Sequence, residues 1–552
     1  MKQSIDPLQL TLIWNRLIAV VEEQAQTLIR TAFSTTVREA GDLSAGVFNR
    51  EGQMLAQAVT GTPGHVNAMA ASVAAFLAKH PMESLHEGDV LVTNDPWDGT
   101  GHLNDFTVVT PVFHHGQPIG LFAATSHIAD VGGLGFGPDA NDLFEEGLLI
   151  PISFLFKQGE PNETLFNVLR ANVRDPLAAE GDLYSLAACN ETGIKRLIET
   201  LNEFGLIDLE AVGAQIIKQS QEAMIAEINA LPDGEYNYAM RIDGYNDPID
   251  LVCKLMVRAG AIEIDFSGTS KASSHGINVP LTYTQAYASF GARCVIGNMI
   301  PNNAGSLAPI SILAPATTIL NAQRPAAVSA RHVIGQMLPD VVLGALAKAM
   351  PGRTPAEGTS CLYLPVLRSV ADAKEPFVIN PFYTGGTGAR PGKDGLSCTA
   401  FPSGVKNTPV EINEATAPVI MWRKEYIADS GGVGQYRGGL GQVMEFQHAR
   451  DEDMIASKMF DRIKHPARGR KEGGAGGNGQ VRLASGTMLK GMGRDVILGG
   501  DRLVVETPGG GGIGDSAARA DDAVRQDVKK GFVSQESAEK NYNLLSRKLS
   551  EK

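Results

Sequence analysis

Three short segments carry the side chains best suited to chemistry: Thr93-Asn94-Asp95-Pro96-Trp97, Gly101-His102-Leu103-Asn104-Asp105 and Ser126-His127-Ile128-Ala129-Asp130. His102 and Asp105 stand three apart at the entry to an apolar run, Phe106-Thr107-Val108-Val109, that reads as a strand. His127 and Asp130 repeat the His-x-x-Asp spacing just beyond a second such run, Ile119 to Ala124. Neighbouring strands end close together, so imidazoles and carboxylates from both could meet at one cation. Such nitrogen and oxygen donors suit zinc or manganese rather than calcium or a thiolate-bound metal. The adjacent His114 and His115, before Gly116, are expected to be exposed in a hairpin turn with their side chains pointing apart.

Several elements must position these residues. Asp6-Pro7 is a strong helix start, and Leu10, Ile13, Leu17, Val20, Val21 and Leu28 then mark one helical face. Ala45 to Phe48 and Gln53 to Ala56 read as a hairpin, and Asn67 to Lys79 as a second helix. Further on, Leu209 to Ile228 has helical periodicity, and Leu231-Pro232-Asp233-Gly234 breaks the chain. Beyond it, Leu251 to Val257 and Ala261 to Phe266 form an expected hairpin; Asp521 to Lys530 closes the pattern as a helix, and Ser534 caps another. The reading is a mixed α/β (α+β) multidomain chain: 1–231 an N-terminal metal-binding domain, 232–515 a glycine-rich α+β domain, 516–552 a helical tail.

Composition narrows the partners. The chain has 552 residues and a formal net charge of −13, without the clustered basic surface that nucleic acid requires. No apolar run reaches the ~20 residues of a membrane span, and Met1 to Pro7 does not read as a secretory signal. Cys189, Cys253, Cys294, Cys361 and Cys398 lack any CxxC spacing, which suggests reduced thiols and a cytoplasmic protein. Among the 61 glycines, Gly474 to Gly479 formally satisfies GxGxxG, but a strand, Gln480 to Leu483, follows it where a dinucleotide fold needs a helix. Pro391-Gly392-Lys393 resembles a P-loop ending, yet Thr387 and Asp394 occupy the positions that need Gly and Ser/Thr. The chain therefore shows no ATP site of its own.

Many ordered motifs together resemble the hydantoinase B and oxoprolinase family, from about Pro7 to Tyr542. They include Asp42-Leu43-Ser44-Ala45, Thr93 to Pro96, His102 to Asp105, Ser126 to Gly133, Asn172-Val173-Arg174, Gly181-Asp182-Leu183, Asp265 to Ser270, Asp429 to Gly432, Arg437 to Gly441 and Thr507 to Gly512. The resemblance implies one divalent metal, zinc or manganese, held by Asp42, His102, Asp105 and His127. Asp130 and Asp95 would orient a ligand or a water, or act as general base. It further implies an A-type partner carrying ATP and magnesium, a small cyclic amide as substrate and, most simply, an α₂β₂ assembly; the glycine-rich C-terminal third is the candidate docking surface, because glycine lets another backbone approach closely. An ATP-dependent ketone carboxylase component is the alternative, and a non-catalytic scaffold a third reading. Two stretches depart from the family pattern: Arg38 to Gly41, and Val59 to His65, where His65 is either a pocket residue or a satisfied loop histidine.

Overall fold

The computed structural model describes residues 6–544; the Met1–Pro7 reading lies mostly outside them. Helix α1 (Pro7–Thr31) begins where Asp6 accepts the Leu8 and Gln9 amides and Pro7 occupies its first turn. Further helices are α2 (Thr35–Arg38), α3 (Pro63–Lys79), α4 (Leu143–Glu146), α5 (Glu163–Asn172), α6 (Pro176–Phe204) and α7 (Glu210–Asn229). They surround one antiparallel sheet of β1 (Leu43–Phe48), β2 (Met54–Gln57), β3 (Val90–Thr93), β4 (Asp105–His114), β5 (Gln117–His127), β6 (Ser153–Lys157) and β7 (Glu160–Pro161), in the order β2-β1-β5-β4-β3-β6-β7. The central strands β4 and β5 are buried almost throughout, because α1 and α6 cover one face and α3 the other. Gln24 of α1 donates through Nε2 to both the Ala123 carbonyl of β5 and the Asn190 side chain of α6, which ties the two helices to the sheet inside that layer.

A second sheet, ordered β11-β10-β9-β8, contains β8 (Gly234–Ile242), β9 (Ile249–Arg258), β10 (Ala261–Asp265) and β11 (Ile310–Leu313). Helices α8 (Leu281–Arg293) and Leu338–Ala349 pack beside it. Two four-stranded sheets complete the C-terminal half: β12 (Val366–Ser369), β13 (Val378–Ile379), β16 (Met454–Met459) and β18 (Met492–Ile497); and β14 (Val419–Tyr426), β15 (Gln442–His448), β17 (Gln480–Leu483) and β19 (Leu503–Glu506). The fold is mixed α/β. The core of this half also takes in Ala40 and Phe136, while that of the first sheet takes in Ala322 and Val328. Chain segments from the two halves therefore interlock around the site described below. No helix among the described residues is long and apolar enough to cross a membrane.

Two local expectations change. His114 is buried rather than exposed: its Nδ1 donates to the Ile207 carbonyl at 2.8 Å. The His114 and His115 rings lie 4.0 Å apart, because His115 adopts φ 51° and leaves the alternation of an extended strand. The glycine-rich third is the other case. Gly439 donates to Thr387, Gly510 to Gly439 and Gly432 to Gly510, at 2.8–3.0 Å, so the backbone that approaches these glycines is the chain's own. They are buried internal contacts and do not form an open docking surface. A Cβ on Gly510 would sit 1.9 Å from the Thr387 carbonyl oxygen, and one on Gly438 1.9 Å from the Gly510 oxygen.

Gly510→Ala should therefore lose ~3 kcal/mol or more, or fail to fold, because rigid backbone cannot give way as a side chain does. Gly392→Ala, at φ 75° with nothing within 4 Å of its Cβ, should lose only ~1–2 kcal/mol. Urea denaturation of both variants measures the difference.

Candidate metal centre

Strand register assembles the site. Asp105 opens β4 directly opposite His127, the last residue of β5, and Leu43 of β1 pairs with Ser126. Asp42, Asp105 and His127 thus stand at one end of three adjacent strands. His102 lies in the turn before β4, its carbonyl accepting the Asp105 amide. Donor atoms of His102, Asp105 and His127 all fall within 4.8 Å of one another, and all three residues are buried.

Asp105 is the hub. Its Oδ1 lies 2.8 Å from His102 Nε2 and 3.3 Å from His127 Nδ1. Its Oδ2 accepts from Thr100 Oγ1 at 2.8 Å, faces His65 Nε2 at 3.0 Å and is ion-paired to Arg331 Nη2. Burial opposes the charge of Asp105, but its basic neighbours, His65 and Arg331 among them, outweigh it and hold the carboxyl well below the usual range.

His102 supplies the test of whether a cation fits. Its Nδ1 is 2.8 Å from the Ser329 carbonyl, which can only accept, so Nδ1 carries the proton. Burial, then the charge of Arg331, push the His102 pKa down to about 3, so the ring is neutral near pH 7. Its Nε2 lone pair then points at a carboxylate oxygen 2.8 Å away. Two acceptors at that distance repel unless a cation lies between them. Four-coordinate zinc, with N and O donors at about 2.0–2.2 Å, spaces those donors about 3.3 Å apart. His127 Nε2, moreover, is buried with no hydrogen-bond partner. The chemistry of this donor set therefore fits a divalent metal.

Asp42 lines the same cavity, accepting from Thr62 Oγ1 at 3.0 Å and facing His65 Nδ1 at 3.5 Å. His65, near the start of α3, so bridges Asp42 and Asp105. Burial lowers its pKa, but Asp105 and then Asp42 prevail and the net shift is upward.

The other two expected site residues are placed elsewhere. Asp130 accepts from the Arg174 backbone at 2.6 Å and its guanidinium at 2.5 Å, and Asp95 is paired with Arg324 at 2.6 Å. Neither lines the cavity.

Sequence reading missed most of the far wall. Arg331, Ser329 and His332 come from more than 200 residues away, and Phe136 packs 4.9 Å from the His127 ring and 5.5 Å from that of His102. Gly101, at φ 104°, leaves the space that the Arg331 side chain fills. Arg331 also donates to the Thr100 carbonyl and lies 4.0 Å over the Tyr283 ring. Glu146 accepts the Val328 and Ser329 amides, both at 2.6 Å, next to the Ser329 carbonyl that orients His102; burial pushes its carboxyl up to about 8. The sequence signals were faint: an adjacent Arg331-His332 pair and a glycine before His102.

Comparison with known proteins agrees over nearly the whole chain. The chain is 27% identical to a putative D-/L-hydantoinase component of the B type from Pseudomonas sp. strain NS671, across 98% of this chain and 95% of that one. It is 30% identical to 5-oxoprolinase 1 of Arabidopsis thaliana, across 92% of this chain but only 42% of the plant protein. The fold is shared with an ATP-dependent caprolactamase from Pseudomonas jessenii, with a TM-score of 0.87, 24% identity and coverage of 98% and 96%. It is shared also with an acetone carboxylase, with a TM-score of 0.86, 20% identity and coverage of 97% and 79%. The sequence model for hydantoinase B/oxoprolinase matches residues 6–516, and the chain belongs to that family.

Proposed function

We propose that this chain is the metal-carrying part of an ATP-dependent enzyme that hydrolyses a cyclic amide, such as a hydantoin, 5-oxoproline or another lactam. The observation that carries the reading is the buried cluster of His102, Asp105 and His127, whose donor atoms lie within 4.8 Å of one another. His102, Asp105 and His127 would hold the metal, with Asp42 as a further carboxylate ligand at the cavity wall. Bound zinc or manganese would supply Lewis acidity towards water and the amide carbonyl.

The chain's own groups do the rest. Arg331 keeps Asp105 ionised, and the Ser329 carbonyl holds the His102 proton on Nδ1. His65, between two carboxylates, keeps a proton available for the departing ring nitrogen. Asp130 and Asp95 act at a distance, tying neighbouring loops through Arg174 and Arg324. Phe136 excludes water from the histidine rings.

ATP and magnesium are assigned to an A-type partner, most simply in an α₂β₂ assembly. The two-part scheme accords with the 5-oxoprolinases, of which this chain matches 42% or less of the length in plant and slime-mould examples. A ketone carboxylase component is the second reading, favoured by the acetone carboxylase fold. Assay of the co-expressed pair on a hydantoin or lactam, against a ketone with bicarbonate, separates the two; carboxylation alone overturns the hydrolase reading.

Two outcomes follow. His102→Ala or His127→Ala should lose metal and activity together and lower the melting temperature, as metal analysis and calorimetry would read; a variant with full metal content refutes the ligand set. Titration of the isolated chain with Mg-ATP should be flat, and full amide hydrolysis should require the co-expressed partner. Micromolar ATP binding, or full turnover by this chain alone, overturns the two-part scheme.

A further inference from the structure

The loop over residues 128–137 separates two cavities. Its Phe136 is on the wall of the metal cavity, whereas its Gly135 lies against Arg368, which lines a second cleft of about 450 Å³. The register of β12, β16 and β18 places Arg368 opposite Ile455, and Val366 and Arg494 either side of Ser457. Paired and next-but-one residues share a face, so Arg368, Ile455 and Arg494 all point to the same side of this sheet.

Three guanidiniums meet there, and only one has its charge answered. Arg174 is bound to Asp130 and to the Gly132 and Gly133 carbonyls. Arg494 donates to the Leu134 carbonyl at 2.7 Å, while its Nε is buried without a partner. The Arg368 guanidinium, half-buried, makes no hydrogen bond or ion pair among the described residues. Burial, then Arg494 and Arg174, disfavour its charge, and Asp130 offsets them only in part. Asp175, the carboxylate in the cleft wall, caps α6 by accepting the Ala178 amide. A partly desolvated guanidinium beside two others is an electrostatic arrangement completed by an anion, and its planar fork matches a carboxylate or phosphate.

We infer that Arg368, with Arg494 beside it, forms a subsite for the oxyanion of a small molecule, a carboxylate or a phosphate group. Leu364 and Phe382 line the metal cavity, and Arg368 and Val378, four residues along paired strands, line the cleft. The backbone of Arg368 is therefore about 13 Å along the chain direction from that of Leu364 on the cavity wall. The subsite is not the metal site, and its occupancy does not depend on which reaction the chain serves. An anion seated there would press on Gly135, next to Phe136, so the ligand has a direct route to the wall of the metal cavity.

The test is calorimetric titration of the full chain with inorganic phosphate and, separately, with glutarate, both against chloride at equal ionic strength. Saturable binding is expected for one or both; phosphate alone identifies a phosphoryl subsite, and glutarate alone a carboxylate one. Arg368→Gln should weaken binding ~10-fold or more, the loss of a charge-assisted contact. Ile455→Glu places a carboxylate opposite Arg368, and should abolish binding while raising the melting temperature. This second variant keeps the test sharp if Arg368→Gln folds poorly. No saturable binding of either anion, or undiminished binding in Ile455→Glu, overturns the inference.

Discussion

The buried charge of Asp105 is the constraint on which the rest of the site depends. A carboxylate removed from water costs several kcal/mol unless its oxygens are answered, and here four side chains besides His127 converge on it: His102, His65, Thr100 and Arg331. Those groups come from the turn before β4, the first turn of α3 and a segment between β11 and the helix Leu338–Ala349. Satisfying one carboxylate thus ties the first sheet to a chain segment more than 200 residues later. Loss of Arg331 would leave the charge uncompensated, a change of the kind that destabilises proteins by about 3–5 kcal/mol.

The same contacts set up the chemistry. Burial, then the charge of Arg331, keep His102 neutral, and Arg331 joins His65 in keeping Asp105 anionic; the Ser329 carbonyl fixes which nitrogen of the His102 ring carries the proton. A neutral imidazole and an ionised carboxylate are the states in which both donate electron pairs to a metal. Glu146 works one step behind, holding the Ser329 amide whose residue's carbonyl orients His102. The packing that stabilises the fold and the arrangement of lone pairs at the site are therefore one set of interactions.

Sequence made part of this legible. The repeated His-x-x-Asp spacing beside β-type runs suggests that His102, Asp105 and His127 could meet, the family resemblance names them as a set, and antiparallel register is what brings those strand ends together. It was a poor guide to Asp130, which stands beyond the end of β5, where the chain turns away and Arg174 claims its carboxylate. Asp95 likewise follows β3 and turns to Arg324. Arg331 and Ser329 carried no periodic or spacing signal, since a long-range buried pair leaves none in either segment. Glycine clustering correctly signalled close backbone approach at Gly438, Gly439 and Gly510. Whether the approaching backbone belonged to this chain or to a partner was a tertiary question that composition does not encode.

X-ray absorption spectroscopy of the purified, metal-loaded protein tests the central claim most directly. A zinc-loaded site should show a mixed shell of imidazole nitrogen and carboxylate oxygen at about 2.0–2.2 Å, with the outer-shell signature of two imidazoles. That signature should fall to a single imidazole in any His127→Ala protein that still takes up metal. A shell of water oxygens alone, or one containing sulfur, would contradict the assignment of His102, Asp105 and His127 as the residues that hold the cation.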